Sequence, residues 1–213
     1  MLIDLKLEDK NVLIIGGGLV AETKVRNFLM EKSKVKLISK NISEEIMELS
    51  KKNSLNLIFD DISEISDKIK QFIKNSYITI AATDNPIINE KIVSIAKSYS
   101  SIVSVVDKPE LSDFLSASII YFGDIKIAIS TGGKSPAISK FLRQKFEQSI
   151  KEVDILQVKL QEYIRPLLKS KFESSDLRKK LLYKIMKNSK IKKFLKKNKL
   201  EVAKIYAKTI IEK

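Results

Sequence analysis

VLIIGGGLVAETKVRNFL, residues 12–29, is the stretch from which the rest of the chain can be read. Four apolar residues run into three glycines without the polar alternation of a half-exposed strand. Val25, Phe28 and Leu29 then recur at helical spacing. The pattern predicts a strand buried on both faces, a tight turn and a helix. GGGLVA fits G-x-G-x-x-A as Gly16, Gly18 and Ala21. In that arrangement Gly16 permits the turn, Gly18 lets backbone approach a pyrophosphate, and Ala21 keeps helix and strand close. The helix N-terminus offers N–H groups to the anion. A dinucleotide, NAD or NADP, is therefore expected at this turn.

Further apolar runs at 35–39, 55–58, 77–81 and 102–106 alternate with helical patterns such as Ile88, Ile92, Val93 and Ala96. Strands of this kind joined by right-handed crossovers give an α/β fold with a Rossmann-like, doubly wound parallel sheet. The acidic residue that commonly takes the ribose hydroxyls is missing after the second strand, where LISKN places Ser39, Lys40 and Asn41. A hydroxyl and an amide can bond a ribose, and Lys40 can face a 2′-phosphate. AATDN, residues 81–85, puts Thr83 where the cofactor passes, with Asp84 or Asn85 as the next helix cap.

The rhythm changes after residue 107. Runs at 117–121 and 124–130 predict an antiparallel hairpin turning at Phe122-Gly123, and ISTGGKSPAISKFLRQKFE, residues 129–147, then turns into a helix capped by Ser135 with Pro136 at its first position. From Val153 onward the pattern is helical, with stripes at Leu156, Leu160, Ile164 and Leu168, and at Val202, Ile205 and Tyr206. Residues 151–213 hold 19 Lys and Arg against 7 Asp and Glu, a net +12 of the chain's total +14. The expected division is a nucleotide-binding domain at 1–107, a strand-hairpin and helix segment at 108–150 for dimerisation and substrate, and a basic helical domain at 151–213.

The chain has no Cys and no His. That excludes disulfides, thiolate nucleophiles, imidazole bases and the usual zinc ligands, and leaves acid–base work to Asp, Glu, Lys, Tyr or a cofactor. No apolar run is long enough to cross a bilayer, and MLIDLKLEDK lacks the basic start and apolar core of a signal peptide. A cytoplasmic, soluble protein with no membrane partner is expected.

Four blocks, GGGLVAETKVRNFL, AATDNPIINEKI (81–92), VVDKPELSDF (105–114) and ISTGGKSPAISKFLRQKFE, occur in this order. Together they resemble the precorrin-2 dehydrogenase and sirohydrochlorin ferrochelatase domain of sirohaem synthases. The resemblance implies NAD-dependent oxidation of precorrin-2 to sirohydrochlorin, insertion of Fe²⁺ in bifunctional members, and an intertwined homodimer. It maps the family's essential Asp onto Asp107, as catalyst and as the candidate metal contact. It also matches Leu19-Val20 and Lys40-Asn41 to positions that touch the dinucleotide. With a tetrapyrrole as substrate, the loop Thr131-Gly132-Gly133-Lys134-Ser135 offers N–H groups, two hydroxyls and an ammonium to its carboxylates. The plainer reading of that loop is a capped turn.

Two rival readings stay open. A Rossmann dehydrogenase for another acidic small molecule has the same composition. The basic C-terminal region also suits a nucleic-acid-binding module, but its lysines fall on most helical turns rather than in one stripe, so nucleic acid is not the expected partner.

Overall fold

A computed structural model describes residues 2–52 and 55–212. The chain forms two compact units, residues 1–116 and 117–213.

In the first unit, β1 (Asn11–Ile15), β2 (Lys34–Ser39), β3 (Leu55–Phe59), β4 (Ile78–Ala81) and β5 (Ile102–Val105) make one parallel sheet of order β3-β2-β1-β4-β5. Its crossovers are α1 (Leu19–Met30), α2 (Glu44–Lys52), α3 (Asp67–Lys74) and α4 (Pro86–Ser98). The doubly wound topology expected from the sequence is therefore present. β1 shows why VLII lacks alternation. Val12 and Ile14 pack in a layer with Ala21, Val25 and Phe28 of α1 and Ile46 of α2. Leu13 and Ile15 face the opposite layer, with Ile69 and Ile73 of α3 and Ile88, Ile92 and Ala96 of α4. Successive strand side chains point to opposite faces, so a strand covered on both sides must be apolar at every position.

The strand order reverses between β1 and β4, which puts a crevice at their carboxyl ends. The chain past β5 stays with this unit. After a 3-10 turn at Pro109–Leu111, Asp113 N–H donates to Val103 O at 2.8 Å and its Oδ2 accepts from Val103 N–H at 2.9 Å. Ser112 Oγ accepts from Val105 N–H at 2.9 Å. Residues 112 and 113 thus cover the open edge of β5 and satisfy groups an edge strand leaves unpaired.

The second unit opens with the antiparallel pair β6 (Ser118–Phe122) and β7 (Ile125–Ile129). The turn falls at Gly123-Asp124, one residue later than expected, because Gly123 takes the left-handed conformation at φ +59°. α5 (Pro136–Glu147) follows, capped by Ser135 as the sequence predicts. Then come α6 (Glu152–Lys171), α7 (Ser175–Lys187), α8 (Ser189–Lys196) and α9 (Leu200–Glu212). Their core is Leu156, Leu160, Ile164 and Leu168 of α6, joined by Ile185, Ile191, Leu195 and Ile211. The expected stripe on α9 holds only at Tyr206, which packs against this core; Val202 and Ile205 are 42% and 66% exposed. The fully buried face is Ala203, Ala207 and Ile211, and the two alanines let α9 approach the longer residues of α6. No described helix is long and apolar enough to cross a membrane.

Candidate active site

A cleft of about 840 Å³ lies at the carboxyl ends of the strands in the first unit. Five loops supply its walls: Gly16–Val20 after β1, 39–43 at the end of β2, 61–63 after β3, 82–85 after β4, and Val106 after β5.

Each glycine of the first loop meets a different constraint. Gly16 has φ +119°, and a Cβ there would stand 2.1 Å from Ala82 O. It permits the turn, as the motif requires. A Cβ on Gly17 would lie 2.0 Å from Asn41 O and 2.7 Å from Ser39 Oγ, so the loop after β1 rests directly on the end of β2. A Cβ on Gly18 would meet no protein atom within 4 Å. Gly18 is also the N-cap of α1 and brings no side chain to cap it, whereas Ser66, Asn85 and Ser135 cap α3, α4 and α5. Open space above a bare helix N-terminus suits an anion that comes close to backbone. Leu19 and Val20, in the first turn of α1, are 80% and 50% exposed and line the same cleft. These residues fit the pyrophosphate of a dinucleotide, and the cleft volume lies in the usual range for cofactor pockets.

The residues expected near the ribose are all on the cleft wall. Ser39 is buried, and its hydroxyl donates to Asn41 O at 2.8 Å. That bond shapes the turn at 39–41 and leaves the Ser39 oxygen free only as an acceptor. Lys40 reaches Asp61 at 3.3 Å. Asp61, just past β3, is an acidic group on the rim that the sequence reading did not find. The Ser63 N–H bonded to it, then the Lys40 ammonium, hold its carboxyl below the ordinary 3.8. No spacing rule points to Asp61, because it arrives from the strand beside the one that normally carries the ribose acid.

Thr83 lines the cleft after β4, and Asn85, rather than Asp84, caps α4 by accepting from Ile87 N–H at 3.0 Å and Ile88 N–H at 3.3 Å. Asp107 stands one residue beyond Val106, exposed at a bend after β5. Its Oδ1 accepts from Asn89 Nδ2 at 2.9 Å. Asn89 is a second residue that the sequence reading missed; the available signal was a polar residue at a buried position, one place past Ile88. Among the described residues, no group of three or more acidic side chains gathers as a metal cluster.

In the second unit, the loop at 131–135 is tied largely to itself. The Thr131 hydroxyl lies 3.1 Å from Ser135 O and from Ser139 Oγ, and accepts from Ser135 N–H at 3.1 Å. Ser135 Oγ caps α5 by accepting from Ile138 N–H at 3.3 Å, and Gly132 N–H is bonded to Ser130 Oγ at 3.1 Å. Gly132 and Gly133 have φ +62° and +80°, so both glycines serve the turn. Both hydroxyls are engaged within it. Lys134 is exposed and has no ion-pair partner among the described residues.

Comparison with known proteins agrees with this architecture. A family model described as "Putative NAD(P)-binding" matches residues 3–118, and one described as sirohaem biosynthesis protein central matches residues 123–149. A protein named "Putative precorrin-2 dehydrogenase" from Methanocaldococcus jannaschii is 34% identical over 91% of this chain and 93% of its own length. A "Precorrin-2 dehydrogenase" from Methanosarcina barkeri is 32% identical over 38% of this chain and 36% of its own. The solved structure of "SirC, precorrin-2 dehydrogenase" superposes with a TM-score of 0.73 at 20% identity, covering 98% of this chain and 99% of that one, which establishes the shared fold. With a match to an NAD(P)-binding family model over more than half of its residues and likeness along nearly the whole of both chains, this chain belongs to the precorrin-2 dehydrogenase family of sirohaem biosynthesis proteins.

Proposed function

We infer that the chain oxidises precorrin-2 to sirohydrochlorin with NAD as oxidant. The observation that carries this is the 34% identity to the M. jannaschii relative over 91% of this chain, and the open cleft at Gly18 gives the oxidant a place. When bound, NAD supplies the hydride acceptor. The protein must hold the cofactor, orient the macrocycle and take up a proton. Gly18, Leu19 and Val20 hold the pyrophosphate through the first turn of α1. The 39–41 turn flanks the ribose, with Asp61 and Lys40 setting the charge there. Asp107 is our choice for the proton acceptor. The chain has no imidazole or thiol, and this carboxylate projects past a strand end, where ligands of open α/β sheets bind.

The remaining assignments are proposals of the same kind. Residues 108–150 form the dimerisation and substrate segment, and 151–213 the basic helical domain. In the 131–135 loop the Lys134 ammonium is the group left for a substrate carboxylate, and the net +12 of the helices attracts a polycarboxylate at longer range. A homodimer is supported by α5, where Ile138, Phe141 and Phe146 are 51%, 60% and 45% exposed and only Ser139 is buried. Fe²⁺ insertion would use Asp107 again, with iron as substrate.

Anaerobic incubation of the protein with precorrin-2 and NAD tests the reading. One NADH should appear for each sirohydrochlorin, followed by their separate absorbances. Reduction of NAD by other acidic metabolites but not by precorrin-2 would favour the rival dehydrogenase. Adding Fe²⁺ or Co²⁺ after oxidation is complete tests chelation independently.

A further inference from the structure

Asn89 is 1% exposed in the interior of α4, and every hydrogen-bonding position of its amide is used. Oδ1 accepts from Thr83 N–H at 3.1 Å and lies 2.7 Å from the Thr83 hydroxyl. Nδ2 donates to Thr83 O at 3.1 Å and to Asp107 Oδ1 at 2.9 Å. The amide cannot be turned round, because the Thr83 N–H only donates and the Thr83 carbonyl only accepts. The nitrogen therefore faces Asp107.

Three of the four bonds end on Thr83, in the cofactor cleft just past β4. The fourth ends on an exposed carboxylate just past β5, the neighbouring strand. The fourth bond satisfies a donor on a buried amide that would otherwise go unpaired, and it also acts on Asp107. An exposed Asp at a bend samples several rotamers, and one fixed oxygen selects among them. With Oδ1 held by the amide, Oδ2 is the oxygen left to receive a proton.

We propose that Asn89 is a positioning residue for the oxidation: its amide joins the cofactor turn at Thr83 to the carboxylate of Asp107, so that bound dinucleotide and proton acceptor are registered to each other. This rests on the reading of Asp107 as proton acceptor. Asn89 is buried and does not line the cleft, so its effect on turnover passes through orientation.

The test compares Asn89→Ala, Asn89→Asp, Asp107→Asn and the double variant Asn89→Ala/Asp107→Asn in the full chain. NADH affinity is measured by fluorescence titration; kcat and KM are measured with precorrin-2 and NAD. Asn89→Asp keeps the oxygen that accepts from Thr83 N–H and its hydroxyl, and replaces the donor to Asp107 and to Thr83 O with a second oxygen. The expected result is a fall in kcat of about tenfold or more, with KM and NADH affinity changed by less than about threefold. Adding Asn89→Ala to Asp107→Asn should cost nothing further, since there is then no carboxylate to orient. Should Asn89→Ala fail to fold, Asn89→Asp alone carries the kcat-against-affinity comparison. The proposal is overturned if kcat and NADH affinity fall by the same factor, or if Asn89→Ala costs as much beside Asp107→Asn as in the unaltered protein. Both outcomes leave the role of Asp107 intact. Full turnover by Asp107→Asn removes that role, and with it the reason for the tether.

Discussion

Gly17 and Gly18 are adjacent in the chain, yet folding constrains one and ligand binding the other. Gly17→Ala drives a methyl group to 2.0 Å from Asn41 O, a backbone atom that cannot swing aside. It should cost about 2–3 kcal/mol of stability, read as a lower denaturation midpoint of the first unit. Gly18→Ala places its methyl in open space, so stability should change by less than about 1 kcal/mol while NADH affinity falls about tenfold. If Gly18→Ala binds NADH normally, the pyrophosphate does not pass there. Asp61 belongs to the same scale. Paired with it, Lys40 is partly neutralised; Asp61→Asn should free that ammonium for a 2′-phosphate and improve NADP binding about fivefold at low salt, less at high salt. The carboxyl of Asp61 is held below its ordinary 3.8, so it is ionised in the folded protein above that pH. A carboxyl depressed in this way contributes stability that is present above its unfolded value and lost as pH falls through the folded one. Asp61 should therefore keep opposing a 2′-phosphate down to about pH 5, and the difference in NADP affinity between the unaltered protein and Asp61→Asn should vanish only in stronger acid.

At the scale of elements, what could be read from sequence depended on whether a residue's role is local. The five strands of the parallel sheet were legible from their apolar runs, most clearly where a strand is covered on both faces, as β1 and β4 are, and less so in β2 and β3, which carry Lys36 and Asn56. The Ser135 cap and Pro136 start of α5 were legible because capping is settled within four residues. Gly17, Asp61 and Asn89 were not, since their partners, Asn41 O, Lys40 and Asp107, are 18 to 24 positions away and meet only once the sheet is built. The stripe on α9 misled in part for a related reason: the helix meets its neighbours through Ala203 and Ala207 beside Ile211, which turns Val202 and Ile205 outward. α5 yields the prediction at this scale. It rests on a two-stranded sheet, an element of marginal stability alone, and shows Phe141 at 60% exposure. Phe141→Glu should convert a dimer to monomer in light scattering and leave NADH binding in place. A wild-type monomer at micromolar concentration would refute the dimer.

The whole molecule has two centres of stability. The first unit owns the two apolar layers on its sheet; the second owns the cluster around Leu156, Leu160 and Ile164. A ligand stabilises what it binds by RT ln(1 + [L]/Kd), about 2.7 kcal/mol at a hundredfold excess over Kd. On the proposed site, at the tips of β1, β2 and β4, NADH would contribute that to the first unit. Leu160 is fully buried in α6, and Leu160→Ala there should cost about 2–5 kcal/mol through lost contacts and a residual cavity. Calorimetry at fixed protein concentration then has a definite expected pattern. NADH raises one transition and leaves the other in place, Leu160→Ala lowers the one that NADH leaves, and NADH affinity is unchanged by the substitution. A single transition moved by both perturbations would mean instead that the units unfold cooperatively, and that the basic helices help to hold the cofactor cleft in shape.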